Sequence, residues 1–333
     1  MKTIFDIPDK TIKKFLLGLF LIEIVMIAIV ASYLLYSTDE FEHIHASWLV
    51  WSGKVPYRDF FEHHNPLLWY LFAPISALFY ENANVLYVGH CIAVTSSLIT
   101  LIYLYKIIIR YIGNPLIAFV ALILFTTVNK DGRFSMVEFR PDIFAQTCFV
   151  AGIYYYMRYL EKKKLKNLSI AFILFAVSFL LIQKMALILV FLGFYSLYLA
   201  AAKVIKFTDM LKAAVVPGGI LAIFFFLLWY ADILKDWFTL NVELNALMMK
   251  FYGFHFVASD FINFEMTNYY NAVSFDAYPV IICIISLILS FRFIGTSDNK
   301  YRNLFFFLFC SELFIRFFTF SPHFYYFSLL NML

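Results

Sequence analysis

Charge is what this sequence has least of: 14% of its 333 residues are Asp, Glu, Lys or Arg, against about 25% in soluble domains. A chain so poor in charge is not an ordinary cytosolic enzyme, a disordered segment or a nucleic-acid binder. Cysteine is scarce as well. Cys91, Cys148, Cys283 and Cys310 all fall inside apolar runs, so they suggest neither a disulfide framework nor a thiolate metal site. There is no solenoid-type repeat, no low-complexity linker, no HExxH and no EF-hand spacing. What is abundant is apolar surface: 63% of the residues are hydrophobic and 21% aromatic, with a mean hydropathy of +0.81. This is the composition of a polytopic membrane protein.

A spanning helix needs about 20 apolar residues. On that basis the expected crossings are 15–36, 84–109, 115–128, 142–160, 168–182, 185–202, 213–230, 277–294 and 303–320, about nine spans in one integral membrane domain over 1–333. The apolar stretch 168–202 is too long for one span. Gln183 and Lys184 interrupt it, which reads as a tight hairpin. The run Pro66–Phe79 is too short to cross and is expected to lie at the interface or re-enter. The first apolar segment exceeds a signal-peptide core and lacks an A-x-A site, so it reads as a retained anchor.

Loop charge sets the orientation. With the N-terminus cytoplasmic, 17 of the 26 basic residues fall on the inner side, as the positive-inside rule requires. The outer segments 37–83, 129–141 and 231–276 then carry most of the carboxylates, so any chemistry faces outward. On the inner side the sequon Asn167-Leu168-Ser169 cannot be glycosylated. The expected location is a bacterial inner membrane.

The first outer segment is the richest in chemistry. Between residues 37 and 70 it holds five carboxylates, Asp39, Glu40, Glu42, Asp59 and Glu62, and four of the chain's seven histidines. Ser37 and Glu40 fit a capping box, and a helix starting there places Asp39, Glu42 and His43 on one face. Asp39 and Glu40 have two readings, a favourable helix N-terminus or a working acid–base pair. Carboxylates with imidazoles also suit a divalent cation, for which the expected ligands are Asp39, Glu62 and His43.

Asp39-Glu40, then Gly53, Pro56-Tyr57, Phe61-Glu62 and Asn65-Pro66-Leu67-Leu68-Trp69-Tyr70, taken in that order over roughly residues 10–200, resemble the polytopic glycosyltransferases of the GT-C fold. Nearest are the protein O-mannosyltransferase and lipid A aminoarabinose transferase group. The resemblance implies an all-α GT-C-like fold with interfacial helices in the first outer loop. It also implies a sugar donor carried on polyprenyl phosphate and an acceptor that is a lipid, a glycan or a protein. Asp39 would be the catalytic carboxylate, with Glu40 beside it. Glu62 would match the acid preceding the interfacial Pro-Leu helix, and His63 stands where aminoarabinose transferases often carry a lysine.

Glu138, Arg140 and Asp142 cluster at the start of the fourth span, where Pro141 and Asp142 would also serve as an ordinary helix start. The resemblance makes Arg140 and Asp142 a substrate-binding element, and a guanidinium can grip phosphate in bidentate fashion. Lys184 is either a snorkelling lysine or a partner of the lipid phosphate. The segment 231–276 matches no motif and reads first as an interfacial cap. The last apolar run stops at Leu333, where relatives continue with more spans. The resemblance therefore leads to the expectation of a chain that is naturally short, truncated or a fragment. The rival functional reading is a transporter or flippase of lipid-linked sugars, and a third is an inactive truncated relative.

Overall fold

The computed structural model describes residues 9–33, 36–79, 82–128, 136–251, 265–267 and 272–274, with 301, 303–305, 307, 308 and 311. In chain order the helices are α1 (Asp9–Tyr33), α2 (Thr38–Trp51), α3 (Leu67–Leu78), α4 (Asn84–Ile112), α5 (Pro115–Val128), α6 (Pro141–Lys162), α7 (Leu165–Leu181), α8 (Met185–Ala201) and α9 (Phe207–Tyr230). A further helical run follows: α10 (Leu234–Phe238), a π-helical turn (Thr239–Glu243) and α11 (Leu244–Phe251). A three-residue antiparallel pairing joins β1 (Glu265–Thr267) to β2 (Ala272–Ser274). The expected span 277–294 lies outside the described residues, and so does most of 303–320.

Local chemistry explains where the helices begin and stop. Both halves of the Ser37–Glu40 capping box form at the start of α2. Pro141 opens α6 at its first turn, where its missing N–H costs nothing. Gly113 closes α4 at φ 76° and donates its N–H to the Ile109 carbonyl at 2.8 Å, the left-handed ending that glycine adopts without steric cost. The chain breaks between α7 and α8 at Ile182–Lys184, where polar Gln183 and Lys184 interrupt the apolar run.

The bundle is centred on α6, which packs against α7 on one side and α4 on another, while α9 covers α7 and α1 lies along α5 and α4. The α6–α7 approach depends on Gly152. A Cβ there would fall 2.4 Å from Cε1 of the Phe175 ring, and Phe175 is itself buried. Between α4 and α6 the Thr147 hydroxyl lies 2.7 Å from both the Ser96 and the Thr100 hydroxyls. Ser178 on α7 donates to the Ala145 carbonyl at 2.7 Å. Small residues and interhelical hydroxyl bonds hold helices together where the surroundings are as apolar as the side chains.

The outward surface is correspondingly apolar. Leu187, Val190 and Phe194 on α8, and Val215, Ile223 and Trp229 on α9, are exposed. So much apolar exposure is a liability in water and ordinary against lipid. Among the described residues, α4 and α9 are long and apolar enough to cross a bilayer alone. At 17 residues each, α7 and α8 measure about 25 Å, and α5 is shorter still. The count of nine crossings therefore goes beyond what helix length establishes.

Candidate active site

The site gathers at one end of the bundle, where α2, the start of α4, the segment before α6 and the α7–α8 turn converge. Its frame is Glu40, whose side chain is fully buried. One carboxylate oxygen accepts the Ser37 N–H at 3.0 Å. The other accepts the Phe139 N–H at 2.9 Å and lies 2.6 Å from His90 Nε2 on α4, while His90 Nδ1 reaches the Ala31 carbonyl at the end of α1 at 2.9 Å. Burial pushes the Glu40 carboxyl up, but His90 and the two backbone N–H groups outweigh it and hold it below its ordinary value. One carboxylate thus ties together α1, α2, α4 and the entry to α6.

Asp39, the preceding residue, is partly exposed and meets Arg140: Oδ2 lies 2.5 Å from Nη1. The same guanidinium has Glu138 at 3.8 Å and Asp142 at 3.6 Å. Burial raises the Glu138 carboxyl to about 7 despite the nearby Arg140. Lys184 closes this group from the α7–α8 turn. Burial lowers its ammonium below the ordinary lysine value, while Asp142 and then Asp39 pull the other way and Arg140 adds to the lowering. Three sequence segments far apart, near 39, 140 and 184, therefore share one electrostatic field.

A second cluster lies beside the first. The carboxyl groups of Glu42 and Glu62 are hydrogen-bonded to one another. Glu62 Oε1 also accepts the His63 N–H at 2.8 Å and lies 3.0 Å from His64 Nδ1. Burial first, and then the facing charge of Glu62, raise Glu42 to about 7. Burial likewise lifts Glu62 to about 7 against the hydrogen bonds it accepts. One ligand atom from each of Glu42, Glu62, His63 and His64 lies within 4.8 Å of all the others. Two carboxylates with two imidazoles form a donor set suited to a borderline divalent ion. Of the ligands expected from the sequence, Glu62 belongs to this group, and Asp39 and His43 do not. His43 is turned inward, where its Nδ1 accepts the Trp69 indole N–H at 3.3 Å. Burial holds both His43 and His64 well below the ordinary imidazole value, so both are neutral near pH 7.

The loop carrying Glu62 is held from below. Tyr57 sits at φ 70°, a conformation costly for a bulky side chain, and its buried hydroxyl donates to the His64 carbonyl at 2.6 Å. Asn65 is fully buried; its Nδ2 donates to the Phe179 carbonyl at 2.6 Å and its Oδ1 accepts the Trp237 indole N–H at 2.9 Å. Gln183 donates to the His63 carbonyl at 2.7 Å. Sequence reading missed Asn65, Trp237 and Gln183 as supports for the site. Asn65 follows Glu62-His63-His64 and Trp237 follows Lys235-Asp236, so local pattern does not mark either as a buried support. On the other flank of α2, Phe41, Ile44, His45 and Trp48 line an open, largely apolar cleft of about 490 Å³ with Ser76 and Phe79.

The fold and site thus define a helical membrane protein with a cluster of carboxylates, imidazoles, Arg140 and Lys184 at one end of the bundle. The sequence model of the dolichyl-phosphate-mannose-protein mannosyltransferase family matches residues 63–230, half of the chain, and the chain belongs to that family. The family is one of glycosyltransferases. The matched segment contains His63, Arg140, Asp142 and Lys184 and begins one residue after Glu62. No curated protein and no solved structure matches the chain.

Proposed function

We propose that this protein transfers a sugar, mannose on the family's description, from a polyprenyl-phosphate carrier to an acceptor hydroxyl on a lipid, glycan or protein. Transfer takes place at the extracytoplasmic face of the membrane. The observation that carries the reading is the contact of Asp39 with Arg140, beside Asp142 and Lys184, at one end of a lipid-compatible bundle. Asp39 takes the proton of the acceptor hydroxyl as that oxygen attacks the anomeric carbon. The bond from that carbon to the phosphate oxygen breaks, and its electron pair leaves with the lipid phosphate. Attack from the face opposite the leaving group inverts the anomeric centre.

Arg140 has two partners in this scheme. Before the donor arrives it neutralises Asp39. Once a phosphate is present, the guanidinium engages it, which frees Asp39 to act as a base. Positive charge already in place where the leaving group gains negative charge lowers the barrier without reorganisation, and Lys184 adds to it. Glu40 is a positioning residue that fixes the register of α2 so that Asp39 meets Arg140. The cleft beside Phe41 and Trp48 offers an apolar groove for part of a prenyl chain. Glu42, Glu62, His63 and His64 would hold a divalent cation such as Zn²⁺ or Mn²⁺, which when bound supplies positive charge for phosphate oxygens. His63 would also orient substrate beside it.

The multi-pass arrangement with a cytoplasmic N-terminus, in a bacterial inner membrane, completes the reading. Its support is the separation of charge along the helices. His90 and Arg110 stand about 30 Å apart along α4, with acids gathered near the former and bases near the latter. The reading is tested by sugar transfer from a synthetic polyprenyl-phosphate donor in proteoliposomes. Native protein transfers and Asp39→Asn does not; equal transfer by the two would remove Asp39 from the reaction. Movement of intact donor across the bilayer with no sugar transferred would replace the enzyme by a transporter.

A further inference from the structure

At the end of α4 and α6 away from the acids, three cations surround one ring. Lys106 Nζ lies 5.8 Å from the centre of Tyr154 and 5.0 Å from that of Tyr103. The Arg110 guanidinium lies 5.3 Å from Tyr154 and that of Arg158 5.9 Å. A carboxylate within ion-pairing range is Glu161, 3.1 Å from Arg110 Nε. Three positive charges and one negative one leave this group two charges in surplus. Among the described residues, Arg110 Nη1 and Arg158 Nε are buried with no hydrogen-bond acceptor.

A topological anchor needs only long basic side chains that reach water. This group differs from one. Its charges are drawn together over an aromatic surface instead of spreading apart, and two of its guanidinium N–H groups lack the acceptor that buried donors need. Bringing like charges together in a partly buried place is favourable when an anion completes the set. Phosphate oxygens suit guanidinium N–H groups in geometry as well as charge. The position along the helices places the group at the membrane surface: Arg110 is about 30 Å from His90 along α4, the thickness of a hydrocarbon core. Tyrosines are at home at that depth.

We propose that Lys106, Arg110 and Arg158, on the cage formed by Tyr103 and Tyr154, bind the phosphate headgroup of an anionic phospholipid in the leaflet opposite the active site. The lipid braces the ends of α4 and α6 at that surface. This rests on the membrane placement above and not on the transfer reaction.

The test follows thermal unfolding of the detergent-purified full chain, with no sugar donor, as phosphatidylglycerol, phosphatidylcholine or inorganic phosphate is titrated in. Phosphatidylglycerol is expected to raise the midpoint saturably and phosphatidylcholine to leave it unchanged. Lys106→Gln/Arg158→Gln should bind phosphatidylglycerol more weakly by about fivefold per charge removed, with Arg158→Lys close to native. If the double variant does not fold, Lys106→Gln alone, at the exposed member, reads the same difference. Asp39→Asn should respond like the native chain, which separates failure of this site from failure of the transfer reaction. Equal response to phosphatidylcholine, an undiminished response in the variants, or full reproduction of the shift by inorganic phosphate alone would overturn the lipid site.

Discussion

The carboxylate of Asp39 and the guanidinium of Arg140 meet at 2.5 Å, while the adjacent carboxylate of Glu40 is buried against His90 and the Phe139 N–H. Neighbouring acids in the sequence therefore have different environments, and their substitutions should separate. Asp39→Asn should lower the transfer rate by roughly 10²–10⁴, the range of a general base, and leave thermal unfolding nearly unchanged. Glu40→Ala should destabilise the protein by roughly 3 kcal/mol, because it strands buried partners. Kinetics and unfolding measured on both variants check the division. A stable Glu40→Ala protein would mean that the His90 contact contributes little.

The paired carboxyls Glu42 and Glu62, each raised to about 7, give a stability profile of definite sign. Between the ordinary carboxyl value near 4.5 and about 7, the folded chain holds protons that the unfolded chain has released. Stability contributed by this pair is therefore full below 4.5 and declines as pH rises toward 7. Glu40, held below its ordinary value, acts in the opposite sense and loses its contribution only in acid. Thermal midpoints recorded from pH 4.5 to 8 should fall less steeply with rising pH in Glu62→Gln than in the native chain.

Divalent-ion binding at the same pair should run the other way with pH, since ligands must shed their protons. Zn²⁺ or Mn²⁺ affinity measured by calorimetry is expected to rise through pH 7 and level off above it. His63→Ala and Glu62→Gln should each weaken binding by about tenfold or more. Unaltered affinity in both would place the ion elsewhere.

Gly152→Val should destabilise by about 1–3 kcal/mol through overpacking, because the Phe175 ring occupies the space that the new side chain needs. A paired Phe175→Ala change should recover part of the loss. Thermal unfolding of the single and double variants measures the coupling.

Asn65→Ala should cost about 1–3 kcal/mol, since it leaves the Phe179 carbonyl and the Trp237 indole without partners in a buried place. It should also raise the donor KM more than it lowers kcat, because Asn65 supports the loop of Glu62 and His63 without touching the reacting atoms. A change in kcat alone would assign it a more direct part.

Much of the helical layout was readable from local pattern. The Ser37–Glu40 box starts α2, Pro141 starts α6, and Gln183-Lys184 separates α7 from α8, because each depends on residues within one helical turn. The convergence of Asp39, Arg140 and Lys184 on one end followed from alternating direction along the chain. The roles inside the site were less visible. Which of two adjacent acids is buried depends on what packs above them, and Phe139 and His90 lie far from Glu40 in sequence. In the grouping of Glu42, Glu62, His63 and His64, the last three lie on a loop that Tyr57 enters at positive φ, with His64 beside Glu62 and His43 facing Trp69.

By itself the sequence determined a lipid-compatible helical chain with acids collected toward one side and bases toward the other, because hydropathy and charge act residue by residue against the membrane. The tertiary structure decided which acid meets Arg140, which one is a buried brace, and which carboxyls face one another. These outcomes depend on the dielectric and the hydrogen-bond partners that distant segments supply, and no local pattern encodes them.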